Sequence, residues 1–428
     1  MIPQIIKIFN DYKTPILYSG GSIAKAFAQL IVGFFIAKYV SPEDLGLWTT
    51  INLILIYSSF LQVGLINGLN LELPFAYGKG DNKSAEIMAG TVQSFTIISS
   101  IILLVSATIY LITTETTNPK EKLGIIAIVM VTVLTFYQNY LLSTFRSKSS
   151  FKTLSIIQLV DAFVNISTLV LVIYFSYYGL LLKAIVVICV YVLLLHFNRP
   201  IKIGFILSKK AFFLLLKVGL PIFGLAYLET VSSTFDKIWL LKYSNLSDVG
   251  LYSFAFYALT AFSLFSTSIA SYIYPRMTYN YGKSNNKHDL WLYAKKITKI
   301  LIIIQTPLSI IGYIMIPILI RNYFPNYILS THAMQILLFA GLFKGSVVAV
   351  NALWSLKEWK LMIIYQVLYS ILIVSFTFVG VFLHHNKIEG VAYGILFANA
   401  INFVVGISLT YLGTNRKGSK PHQIKFCS

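Results

Sequence analysis

Twelve stretches of this chain are apolar for long enough to cross a lipid bilayer as helices, and that limits what it can fold into. They fall at 16–39, 46–69, 87–112, 123–142, 154–174, 180–197, 218–241, 251–273, 297–320, 333–351, 361–383 and 390–412. About 20 apolar residues span the hydrocarbon core, and the backbone polar groups inside it must be satisfied within the segment. The expected fold class is an all-α polytopic membrane protein with 12 transmembrane helices. Composition agrees, because only 11% of residues are charged against about 25% in soluble domains. The N-terminal apolar run is longer than a signal-peptide core and no small-residue cleavage pattern follows it, so it reads as a retained first span.

The loops give an orientation. Twelve spans place both termini on one side. The loops and tails of that side hold 23 Lys and Arg, and the opposite loops hold 5. The positive-inside rule then makes both termini cytoplasmic. It also accounts for the net charge of +19, which in a soluble protein would suggest nucleic acid; no nucleic-acid partner is expected. The outer loops are short and leave no room for a soluble catalytic domain. Cys189 and Cys427 are too few for a disulfide framework, and Cys189 reads as packing.

A polar loop occurs twice. "YGKGDNK" at 77–83 and "YGKSNNK" at 281–287 share five of seven residues at an offset of 204. "KYVSPEDLGLW" at 38–48 aligns with "KYSNLSDVGLY" at 242–252 at the same offset. "SFKTLSIIQ" at 150–158 resembles "EWKLMIIYQ" at 358–366 at offset 208. A six-span unit is therefore written twice. Six is even, so the two halves are parallel six-helix repeats related by an axis along the membrane normal, as in transporters that rock two bundles around a central cavity. The domains follow as 1–198, an N-terminal six-helix bundle; 199–217, a cytoplasmic linker; 218–412, a C-terminal six-helix bundle; and 413–428, a basic cytoplasmic tail. The linker alternates bases with apolar clusters and is expected to lie in the headgroup plane as an amphipathic helix, as is Asn285–Lys296.

"FFIAKYVSPEDLGLW", "LINGLNLELPFAYGKGDNKSAE" and "VGLPIFGLAYLETVSSTFDKIWLLKYSNLSDVGLY" together resemble the polysaccharide flippases of the multidrug/oligosaccharidyl-lipid/polysaccharide exporter superfamily. The likeness lies in an acidic outer turn, a "GLP" near the start of the seventh span, and an Asp-Lys pair ahead of a second "DVGLY" turn. The resemblance implies a bacterial inner-membrane flippase with two bundles around a central cavity. It implies a cargo of undecaprenyl-pyrophosphate-linked oligosaccharide, an O-antigen or capsule repeat unit, moved from the cytoplasmic to the periplasmic leaflet by alternating access. It implies no cofactor, with coupling to an H+ or Na+ gradient. The implied partners are the lipid-linked cargo, membrane lipids, and a polysaccharide polymerase and chain-length regulator.

Ionisable residues inside apolar spans cost about 2.5–3.5 kcal/mol each on insertion scales and usually face a wet or functional interior. Lys25, Glu229 and Lys344 fall near mid-depth, Asp161 toward the cytoplasmic side, and Asp236 and Lys237 toward the periplasmic side. Helical spacing groups them with polar neighbours: Ser22, Lys25 and Gln29; Ser155, Gln158, Asp161, Asn165 and Thr168; Glu229, Ser233 and Asp236; Lys344 and Asn351; Asn399, Asn402 and Gly406. For an anionic cargo, Lys25 and Lys344 are the candidate pyrophosphate ligands, because lysine supplies a compact charge. Gln29, Gln158, Asn165, Asn399 and Asn402 are the candidate sugar ligands. Glu229, Asp161, Asp236 and Lys237 are assigned to coupling and gating. Lys25 and Glu229 stand 204 residues apart and are expected to pair across the repeat axis. The alternative is interhelical pairing that only ties the bundles. Lys38, Lys183 and Lys299 lie near span ends and are expected to snorkel. Pro307 and Pro317 are expected to kink the ninth span, and Pro221 to sit in the first turns of its helix.

Two other function classes stay open. A drug/cation antiporter of the same superfamily would favour a carboxylate-rich interior. A lipid-linked-sugar polymerase would need a large periplasmic loop. Enzymatic motifs are missing: "GKS" at 282–284 has Met277 where a phosphate-binding loop requires glycine, and His384 and His385 have no third ligand nearby in sequence, so no metal site is expected.

Overall fold

The computed structural model describes residues 24–114, 118–284, 286–356 and 358–415. Ser22, the N-terminal tail and most of the basic tail lie outside them. The described residues are mostly helical, with no strand among them. Nine of their helices are long and apolar enough to cross a membrane, and the chain is a multi-pass membrane protein.

The chain divides into two compact units, Met1–Tyr227 and Leu228–Ser428. The first holds α1 (24–39), α2 (Pro42–Gln62), α3 (Leu65–Gly78), α4 (Asn82–Thr113), α5 (Pro119–Ser147), α6 (Phe151–Ser167) and α7 (Leu169–Phe197), and α8 (Lys209–Ser232) begins in it. The second holds the end of α8, then α9 (Phe235–Tyr243), α10 (Leu246–Ser284), α11 (Lys287–Tyr323), α12 (Thr331–Ser346), α13 (Asn351–Leu356), α14 (Trp359–Leu383) and α15 (Lys387–Asn415).

The internal repeat is, at the turns within 38–48 and 242–252, a repeated helix cap. The Asp44 N–H donates to Ser41 Oγ at 3.2 Å. The Asp248 N–H donates to Asn245 Oδ1 at 2.9 Å, 204 residues later. Each cap satisfies one of the four N–H groups that a helix start leaves without a partner. In the repeated polar loop, Asp81 accepts from the Ser84 N–H at 3.0 Å and Asn286 from the His288 N–H at 2.9 Å.

Both units close with a tight helical hairpin. Within α7, Ser176 takes φ 47 and ψ −119, and the chain folds back there. A Cβ built on Gly179 would lie 1.9 Å from the Leu171 carbonyl oxygen, so only a hydrogen fits where the two helical arms of the turn cross. In the second unit Gly380 and Gly390 face each other across the α14–α15 turn, and a Cβ on either would lie 2.1 Å from the other's carbonyl oxygen. The drift of the sequence offset from 204 to 208 arises before these hairpins, between the repeated polar loops at 77–83 and 281–287 and the matching segments at 150–158 and 358–366.

Four expectations change. The span at 46–69 is broken: Val63 and Gly64 take φ 48 and 79, so α2 stops and α3 starts at a new angle. The break frees carbonyls, and Ser99 Oγ donates to one of them, the Leu61 oxygen, at 3.0 Å, as burial in an apolar medium demands. The linker is not a separate amphipathic helix. Residues 199–208 form no helix, because the Ile206 N–H is held by Ser94 Oγ at 2.9 Å and Ile201 is buried in the core of the first unit. Ser208 then caps α8, accepting from the Ala211 N–H at 3.3 Å. Helix therefore begins at Lys209, and Pro221 sits in its interior rather than in its first turns. Asn285–Lys296 is likewise not independent, since residues from Lys287 onward run continuously into α11, which contains Pro307 and Pro317.

The first unit also contains a close crossing that the sequence reading passed over. Gly64 and Gly68 form a G-x-x-x-G pair, the spacing that lets membrane helices touch through their backbones. A Cβ on Gly68 would lie 2.2 Å from the Leu215 oxygen, and one on Gly219 would lie 2.1 Å from the Gly64 oxygen. The first part of α8 is thereby locked onto α3.

Candidate functional site

In the first unit, α1, α6 and α7 bring charge into the interior. The Lys25 ammonium stands 2.9 Å from Asp161 Oδ2 and 3.8 Å over the Tyr191 ring. Asp161 is 2% exposed and Lys25 22%, so the carboxylate is sealed and the ammonium is reachable. The contact is one of charge, since Oδ2 accepts no well-aligned hydrogen bond. One helical turn along α6, Asn165 Oδ1 accepts from the Lys183 ammonium. Gln158, Asp161, Asn165 and Lys183 are all buried. The polar face predicted for this helix is therefore turned into the bundle. Gln29, one turn beyond Lys25, is exposed and does not join the cluster.

Two sequence expectations are corrected here. Lys183 does not snorkel: it is 6% exposed, because the hairpin register sets it opposite Asn165. Lys25 finds its counter-ion in its own unit, at Asp161, where the sequence offset had paired it with Glu229. Tyr191, whose ring face attracts the ammonium, was also missed. It lies two turns beyond Lys183 on α7, a spacing visible in the sequence once both are known to face inward.

The second unit has neutral ties at the same hairpin. The Tyr369 hydroxyl donates to Asn399 Oδ1 at 3.2 Å, and Asn402 Nδ2 donates to the Tyr365 hydroxyl at 2.7 Å. The two tyrosine rings stack at 6.5 Å and 11°. Asn399 and Asn402 are thus buried and engaged between α14 and α15, although Asn402 Oδ1 keeps an unpartnered lone pair. Glu229 is exposed and acts electrostatically on Lys344, Tyr365 and Tyr369. Lys344, half-buried on α12, lies in the field of Asp236 as well. Its segment is the most enclosed of the candidate spans.

Asp236 and Lys237 form a second, more rigid group. Asp236 is fully buried, and its Oδ2 accepts from the Tyr252 hydroxyl at 2.8 Å. The Lys237 ammonium pairs with the same carboxylate at 3.1 Å and lies 4.6 Å over the Phe256 ring. Tyr252, unassigned from the sequence, holds this carboxylate in place. Each unit therefore contains a buried carboxylate paired with a lysine, Asp161 with Lys25 and Asp236 with Lys237, and each holds a further lysine in its interior, Lys183 or Lys344.

Comparison with known proteins places these clusters in context. Residues 35–327 match a family model described as polysaccharide biosynthesis protein. Among curated proteins none matches the chain. A multidrug resistance MATE family transporter of the MOP superfamily, solved in an inward-facing conformation, is similar at 15% identity and a TM-score of 0.74, with 91% of this chain and 94% of that one covered. A MATE transporter in complex with MaD5 gives 15% identity and a TM-score of 0.65, covering 94% and 96%. An outward-facing MATE family transporter gives 16% and 0.59, covering 94% and 95%. The fold is that of a MATE-like transporter.

Proposed function

Because this chain belongs to the polysaccharide biosynthesis protein family and carries a membrane-transporter fold, we propose that it is a flippase for a lipid-linked oligosaccharide. The cargo is an undecaprenyl-pyrophosphate-linked repeat unit of O-antigen or capsule, passed from the cytoplasmic to the periplasmic leaflet of the bacterial inner membrane by alternating access. The proposal includes twelve crossings with cytoplasmic termini. The observation that carries it is Lys25: an ammonium inside an apolar unit, anchored to a sealed carboxylate yet 22% exposed. Such a group attracts an anion without having to bury a bare charge. Lys344 supplies the corresponding cation of the second unit.

Gln158 and the amides of Asn165, Asn399 and Asn402 line polar faces suited to sugar hydroxyls, with Gln29 on the exposed side of α1. Glu229, Asp161, Asp236 and Lys237 set the charge state that accompanies cargo movement, coupled to an H+ or Na+ gradient. Polysaccharide polymerase and chain-length regulator are the partners in this reading.

A drug/cation antiporter is the second reading, favoured by the likeness to multidrug transporters. The two lysines that accompany one carboxylate in the first unit oppose it, since a cationic cargo would meet a net positive site. Deletion in the source organism separates the two. A flippase deletion loses surface polysaccharide and accumulates the lipid-linked unit on the cytoplasmic leaflet. A deletion that keeps surface polysaccharide and only raises drug sensitivity refutes the flippase.

A further inference from the structure

Asp161 lies between two lysines, and the difference between their environments is informative. Lys25 is partly exposed and touches the carboxylate through charge alone. Lys183 is sealed, and its ammonium is held by a neutral amide oxygen, Asn165 Oδ1. A buried lysine bound only to an amide is poorly compensated. Asn165 is one turn from Asp161, which places their Cβ atoms about 5–6 Å apart, and Asp161 already acts electrostatically on Lys183. The lysine stem has four flexible carbons, enough to shift its head by one turn.

We infer that Lys183 is a standby counter-ion, which moves from Asn165 to Asp161 when Lys25 is drawn away by an anionic ligand. Removing one partner of a buried ion pair is strongly destabilising because the other charge is stranded. In a site with only Lys25 and Asp161, any anion that captured Lys25 would bear that cost. With Lys183 present, the carboxylate exchanges one cation for another and Asn165 is left as a neutral group. Lys183 is therefore a positioning residue that never touches the ligand, yet sets how readily Lys25 is released. The assignment of a diphosphate as that ligand rests on the flippase reading; the exchange itself does not.

A stability cycle tests the exchange without any cargo. Purified full-length Lys25→Met, Lys183→Met, the double variant, and the double variant with Asp161→Asn are melted in detergent. Exchange predicts that Lys25→Met melts close to the unmodified chain, because Lys183 takes over Asp161. The double variant loses far more than the two single losses combined, and adding Asp161→Asn restores most of it. Single losses that merely add overturn the inference. A second arm measures binding of geranyl diphosphate. Lys183→Met binds about a hundredfold more weakly than the unmodified chain, the weight of one stranded buried charge, and Lys183→Met with Asp161→Asn regains the affinity. A lysine that only supports the fold would not be rescued by deleting a carboxylate, so failure of that rescue also overturns the inference. If the unmodified chain binds no geranyl diphosphate, the diphosphate reading fails, and the stability cycle still decides the exchange.

Discussion

Adding one methyl group at Gly219 tests the backbone crossing in the first unit. In Gly219→Ala the new carbon stands 2.1 Å from the Gly64 oxygen and 2.6 Å from the Gly68 nitrogen. Both neighbours are backbone, so no side chain can rotate out of the way. Ordinary van der Waals contact begins near 3.4 Å, and α8 must back away from α3 by about 1 Å, a gap that forfeits up to half of each dispersion contact along the seam. Overpacking of this kind costs about 1–3 kcal/mol, and the absence of a yielding side chain puts this case near the top of that range. Gly224, five residues on in the same helix, is the control, since a Cβ there meets nothing within 4 Å. Gly224→Ala should be neutral or stabilise by about 0.5–1 kcal/mol, the helix preference for alanine. The assay is thermal unfolding of the purified protein in detergent, followed by loss of the monodisperse chromatographic peak, together with abundance in the membrane. Gly219→Ala melting at or above the level of Gly224→Ala would refute the reasoning, because the crossing would then be loose.

Further outcomes follow from other residues. Lys344→Ala should abolish export of surface polysaccharide at normal membrane abundance, with Lys344→Arg keeping part of it; normal export by Lys344→Ala removes Lys344 from the anion site. A periplasm-active reporter inserted near Ser176 should be active and one fused after residue 412 silent, and the reverse pattern inverts the topology. Tyr365→Phe removes the partner of Asn402 Nδ2 and leaves that buried amide unsatisfied, at about 1–3 kcal/mol of unfolding stability; an unchanged melting point means that the amide finds another partner. The Asp81 carboxyl is held below its ordinary range by the hydrogen bonds it receives from Ser84. Its cap is at full strength above the unfolded carboxylate pKa of about 3.9 and is lost as pH falls through the lowered folded value. Amide-exchange protection at Ser84 should therefore fall in that acid window in the unmodified chain and stay flat in Asp81→Asn.

Much of this architecture was legible because membrane burial writes itself into composition. Apolar length showed a helical multi-pass membrane protein, and the offset of 204 aligned Ser41 with Asn245, which cap corresponding helix starts. The stripe Gln158–Asp161–Asn165 was read from helical spacing, and the structure does bury it. Partner choice was not legible. Lys25 and Asp161 are 136 residues apart, and which carboxylate meets which lysine depends on how helices are packed, which spacing along one helix does not encode. Lys183 was misread for the same reason: distance from a span end measured along the sequence says nothing about the helix opposite. The break at Val63–Gly64 was hidden inside a continuous apolar run, although G-x-x-x-G was a usable sign of a close crossing. The extended course of 199–208 depends on one hydroxyl, Ser94, in a helix more than 100 residues earlier.

The unequal chemistry of the two hairpins also bears on voltage. The ties in the second unit, Tyr369–Asn399 and Tyr365–Asn402, are neutral. The equivalent region of the first unit holds Lys25, Lys183 and Asp161, which together carry one net positive charge. A unit charge moved through the whole membrane field gains or loses about 2.3 kcal/mol per 100 mV, so each tenth of the field traversed by this cluster is worth about 0.2 kcal/mol. Rearrangements that carry Lys25 together with Asp161 and Lys183 through the bilayer are therefore electrogenic, while movements of the tyrosine–asparagine ties are electrically silent.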